Sequence, residues 1–97
     1  MRLRGNVHKR LADLRREMDR LHEVKRVLDE QVVYAEEVAE EATTRAVVAS
    51  TPLADRERGE AAEDLRRVRR ERDEVAARLE ALLVEQDDLL DRLGREG

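Results

Sequence analysis

Ala49-Ser50-Thr51-Pro52-Leu53 is the one stretch of the 97-residue chain that separates two long, regular apolar patterns. A proline pushes the residue before it out of the helical region, yet proline itself suits a first helical turn. Thr51 is thereby placed to cap a new helix. Upstream of this break, apolar residues advance by alternating steps of four and three: Val7, Leu11, Leu14, Met18, Leu21, Leu28, Val32, Ala35, Ala39, Ala42, Ala46 and Ala49, with Lys25 as the one polar intrusion. Downstream, the same rule runs through Ala61, Leu65, Val68, Val75, Leu79, Leu82, Leu89 and Leu93, with Arg72 and Gln86 in the two remaining slots. Each run exceeds three heptads, the length at which an apolar stripe predicts a coiled coil.

The expected fold is therefore all-α: an antiparallel two-helix coiled-coil hairpin, dimerising into a four-helix bundle. Residues 1–97 form one helical-hairpin domain in this reading, with helix one over about 4–49, a turn at about 50–51 and helix two over about 52–94. Gly59 is the only glycine well inside a helix, at a cost of about 1 kcal/mol. Charge supports the fold-back. Residues 1–26 hold nine basic and four acidic side chains, whereas residues 29–42 hold six acidic and no basic ones. In the second half the order reverses: Arg66, Arg67, Arg69, Arg70 and Arg72 come early, and Glu80, Glu85, Asp87, Asp88 and Asp91 come late. Exposed pairs are worth only about 0.2–1 kcal/mol each, so they select orientation rather than supply stability. Periodicity alone leaves two registers open, with Ala39 facing either Ala61 or Leu65.

Composition narrows the functional classes. Phe and Trp are absent and Tyr34 is the sole aromatic, so Leu, Val and Ala must build whatever core exists. A chain this short gains stability from further association, and a disordered free chain is the competing reading of its 45% charged residues. The net charge of −4 arises from interspersed signs and offers no strong field toward nucleic acid or an anionic membrane. No cysteine is present, which removes thiol chemistry and Cys-ligated zinc. No apolar run approaches the ~20 residues of a membrane span, and the N-terminus has no signal-type apolar region, so a cytoplasmic protein is expected. Only Lys9 and Lys25 among the 20 basic residues are lysine, a bias of high-GC bacteria that suggests a bacterial source.

A second apolar stripe lies beside the first on helix one, Val24, Val27, Tyr34 and Val38, and helix two carries Ala62, Ala76, Leu83 and Leu90 in a comparable place. A two-stranded coil needs only its a and d positions, so the extra width points to a second buried surface. Flanking contacts within one hairpin would use the same residues. Val24, Val27, Tyr34, Val38, Leu83 and Leu90 are accordingly the candidate protein-interaction residues. Lys25, Arg72 and Gln86 fit either a register-setting role or snorkelling, in which the long stem is buried and the head reaches the rim.

Other chemistry is poorly served. The run Leu65-Arg66-Arg67-Val68-Arg69-Arg70-Glu71-Arg72 suggests a nucleic-acid patch, but Glu36, Glu37, Glu40 and Glu41 should lie alongside it in the hairpin. His8 and His22 are ~21 Å apart along one helix and cannot share a metal, and Asp19 with His22 makes only half of a carboxylate-bridged motif. No catalytic constellation, cofactor loop or metal set can be assembled. The expected function is a non-enzymatic interaction or scaffold protein that self-associates as a homodimer and binds an unidentified protein partner, without direct nucleic-acid or membrane contact.

The tip offers the alternative. Val47, Val48 and Leu53 are apolar there, and Asp55 and Glu57 stand near a helix start, where acids complement the helix dipole. A hairpin with such a tip is similar to the N-terminal coiled coil of Gre-type transcript-cleavage factors. The resemblance implies a regulator of a nucleic-acid machine, an RNA polymerase-binding hairpin whose acidic tip helps hold magnesium. Here Arg56 and Arg58 alternate with the acids, and the 97 residues contain no globular domain of the kind that follows in that family. The two-helix Trp-x-Gly secretion substrates are of similar length, but this chain has no tryptophan.

Overall fold

The structure is a computed structural model that describes the backbone of residues 2–96 and the side chains of residues 5–95. It holds two α-helices, α1 over Arg2–Ala49 and α2 over Pro52–Glu96, and no strand among the described residues. α1 is continuous because residues 6–49 contain neither glycine nor proline. α2 passes through Gly59 without interruption, and a side chain there would project into open space.

The connection is two residues long, and each has a distinct role. Ser50 adopts a φ of 52°, in the left-handed region, and its backbone N–H donates to the carbonyl of Ala46 at 3.0 Å. This is a left-handed C-terminal stop of the kind that glycine usually provides. The Ser50 hydroxyl also donates to the Val47 carbonyl at 3.3 Å. Thr51 then caps α2: its Oγ1 accepts the N–H of Ala54 at 3.1 Å, and its carbonyl accepts the N–H of Asp55 at 3.1 Å. Thr51→Ala is expected to lower stability by about 1 kcal/mol, whereas Thr51→Ser should preserve it. Thermal unfolding followed by circular dichroism distinguishes the two.

The chain divides into two compact units, a terminal unit of Met1–Lys25 with Val75–Gly97 and a turn unit of Arg26–Glu74. In the terminal unit Leu14 and Leu82 are fully buried and form a core with Val7 and Leu89. Leu11, Met18, Leu21 and Leu93 pack around it. The helical segments are antiparallel, since Arg10 reaches Glu85 while Glu17, seven residues later in α1, reaches Arg78, seven residues earlier in α2.

The turn unit is a helical hairpin in itself. Its interior is lined by Leu28, Val32 and Val68 and, with much smaller side chains, by Ala42, Ala54 and Ala61. Ala35 and Val38 share a groove with Ala61 and Val68. That grouping fits the register that sets Ala39 against Ala61, not the one that sets it against Leu65.

The polar intrusions in the apolar stripes are all half-buried. Arg72 leaves 31% of its side chain exposed and donates from Nε to Asp73 at 3.1 Å, so its stem is covered while its head stays at the rim.

Candidate interaction surfaces

The turn unit bears a shallow groove lined by Gln31, Tyr34, Ala35 and Val38 of α1 and by Ala61, Asp64, Arg67 and Val68 of α2. Its α1 edge sets Tyr34 and Val38 beside the Gln31 amide, and its α2 edge carries the charged Asp64 and Arg67. The reason lies in the sequence: Val27, Tyr34 and Val38 each precede a position of the buried stripe by one residue, and so do Asp64 and Arg67 on α2. In an antiparallel pair these preceding residues meet on one side. Tyr34 is 70% exposed and Val27 39% exposed, although both are large apolar residues.

A different groove occurs in the terminal unit, between Met18, His22 and Lys25 of α1 and Ala76, Leu79, Glu80 and Leu83 of α2. Ala76 and Leu83 follow the buried stripe by one residue, and Leu90 repeats their position one heptad later with 51% of its surface exposed. Thus Tyr34 and Val38 line one groove and Leu83 another. Val24, in the terminal unit, is 40% exposed. Of the charged and amide neighbours in these grooves, Gln31 and Asp64 were not singled out from sequence, and neither were the exposed Val33 and Val84, whereas Arg67, His22, Lys25 and Glu80 were noted for other roles. The signal that could have found the groove residues is their offset of one residue from the apolar stripe.

At the turn, Val47, Val48 and Leu53 are 74%, 80% and 62% exposed. Val48 and Leu53 line a depression with Thr44, Arg45, Thr51 and Glu57. Asp55 accepts hydrogen bonds from Nε and Nη2 of Arg58 at 3.1 and 3.0 Å. The tip therefore combines an apolar surface with an acid already engaged by a guanidinium.

The arginine run of α2 is neutralised differently from the sequence expectation. Of the four glutamates expected beside it, Glu36 meets Arg69 at 3.7 Å, whereas Glu41 holds Arg45 of its own helix at 3.9 Å. Glu37, Glu40 and Glu41 line a depression with Thr44 and Arg45 on the surface of α1. Arg66, Arg67 and Arg72 find acids within α2, at Glu63, Asp64 and Asp73. Glu63 and Asp64 stand three positions before Arg66 and Arg67 on the same helical face, so those two pairs need no partner helix, while Asp73 is the immediate chain neighbour of Arg72. Arg66 accordingly holds the Glu63 carboxyl below the ordinary glutamate range.

The best-formed ion pair joins the two helices of the terminal unit. Arg10 binds Glu85 through both Nε and Nη2, at 2.5 and 2.8 Å. The hydrogen bond from Arg10 lowers the Glu85 pKa, and partial desolvation opposes it. A folded-state pKa below the unfolded one means that the pair stabilises above the ordinary glutamate pKa and loses this contribution as pH falls through the lowered value. The coupling between Arg10→Gln and Glu85→Gln in a double-mutant cycle should be present at neutral pH and absent once Glu85 is protonated. Both side chains remain about two-fifths exposed, so added salt should shrink it as well.

Among the described residues no group of three or more metal-binding side chains gathers, and no helix is long and apolar enough to cross a membrane. His8 and His22 are both exposed. Comparison with protein-family models, with curated proteins and with solved structures gave no match.

Proposed function

We propose that this chain is a non-enzymatic coiled-coil scaffold, self-associating through the Val24, Val27, Tyr34 and Val38 face into a four-helix bundle and offering its tip or its remaining surface to a protein partner. The observation that carries this reading is the exposure of side chains that water disfavours: Tyr34 at 70% and Val27 at 39%. Apolar exposure at heptad spacing beside an already buried stripe is the pattern of a helix with a second face to cover. The turn-unit groove that holds Tyr34 and Val38 is shallow and open, which suits helix packing better than enclosure of a small substrate.

Sedimentation equilibrium is the direct test. A dimer that dissociates on dilution is expected, and a strict monomer at hundreds of micromolar would overturn self-association. The tip as an acidic, polymerase-entering probe draws less support, because Asp55 is committed to Arg58. Direct nucleic-acid binding is similarly weakened by the local pairing of the arginine run.

A further inference from the structure

We propose that two copies of this chain exchange α2, each opening at the Ser50-Thr51 link so that α1 of one copy pairs with α2 of the other. The closed link carries strain. Ser50 adopts a φ of 52°, a region that the Cβ of an L-residue disfavours and that glycine enters freely. The hydrogen bonds around the link do not oppose opening, because each stays on its own side of the reversal. Ser50 donates from its N–H to Ala46 and from its hydroxyl to Val47, both in α1, while Thr51 accepts from Ala54 and Asp55, both in α2. Among the described residues no backbone hydrogen bond joins α1 to α2. Straightening the link therefore relaxes Ser50 and forfeits no hydrogen bond at the turn.

The helices are held together by side chains, and a second copy presents the same side chains. Leu14 with Leu82 in the terminal unit, and Ala42 with Ala61 in the turn unit, need an antiparallel partner helix of this sequence and not one from the same chain. The pairs Arg10–Glu85, Glu17–Arg78 and Glu36–Arg69 likewise re-form between copies. Reciprocal exchange satisfies both chains at once, and a short connection under strain favours it. The exchanged state also covers surface that one chain leaves open. A link of only two residues obliges the two rebuilt hairpins to stand tip to tip, which gathers the exposed Val47, Val48 and Leu53 of both copies at one junction. Exchange requires Leu14 and Leu82 to part first, so it proceeds during refolding at high concentration and persists on dilution. The Val24, Val27, Tyr34 and Val38 face takes no part, so this state goes beyond the self-association reading above.

The absence of native cysteine makes the test direct. A variant carrying both Arg10→Cys and Glu85→Cys is refolded from urea at millimolar and at low micromolar concentration, then treated with a short bifunctional maleimide and run on a denaturing gel. Exchange links residue 10 of one copy to residue 85 of the other, and covalent dimer should appear after refolding at the higher concentration. Ser50→Gly, which removes the strain from both links of the dimer, should lower that yield about tenfold. Tyr34→Asp should leave it unchanged. Links formed only within single chains at every concentration would overturn the exchange, and would leave face-to-face association standing if the same sample sediments as a dimer. A covalent dimer indifferent to Ser50→Gly, or lost in Tyr34→Asp, would overturn it as well.

Discussion

Leu82→Ala is expected to lower the free energy of unfolding by about 2–5 kcal/mol, and Leu14→Ala by a similar amount. Both leucines are completely removed from solvent and belong to one cluster with Val7 and Leu89. The loss combines the transfer free energy of the deleted carbons with the cavity left behind, since neighbours relax only partly. Small domains are stable by only about 5–15 kcal/mol, so either change removes a large share of the total. Leu90→Ala is the internal control. It sits beside Leu89 in sequence yet is 51% exposed, and it should cost far less in a monomer. Urea titration followed by far-UV circular dichroism measures all three. Equal effects at Leu82 and Leu90 would refute the assigned core.

Ala42→Leu should destabilise by about 1–3 kcal/mol, although it replaces one good helix former with another. Ala42 is 2% exposed, and the turn-unit interior near the connection is lined by other small residues, Ala54 and Ala61. The added carbons enter a close-packed interior and must displace backbone or force strained rotamers. The same exchange at an exposed site of α1, Ala12→Leu, should be close to neutral. Thermal unfolding of the pair separates crowding from helix propensity.

The two helices were legible because their signals are local. Thr51 and Pro52 specify the start of α2 through chemistry confined to a few residues, and the bond from Ala54 N–H to the Thr51 hydroxyl is the expected cap. The apolar stripes likewise identified Leu14, Leu82, Val32 and Val68 as interior positions, since burial follows the spacing. The left-handed Ser50 was not legible. Serine carries no strong preference for positive φ, and its conformation follows from the reversal that the flanking helices impose. The candidate surface was legible only in part. Tyr34 and Leu83 look equivalent as apolar residues beside a stripe, but one precedes it and the other follows it, so they line different grooves. The arginine run illustrates a further limit. Opposite charge along the chain predicted cross-helix pairing, yet most of the described pairs of these arginines are local, because an acid three residues away costs less side-chain entropy to reach.

The brevity of the connection limits how such a sequence can change length. One residue inserted within α2 just after Ala54 would turn the remainder of that helix by ~100° about its own axis relative to α1, carrying Ala61 off the interior. Insertions and deletions are therefore tolerated within the helices in steps of seven, made in both at matching heights, so variation in length should accumulate as paired heptads while the Ser50-Thr51 link stays fixed.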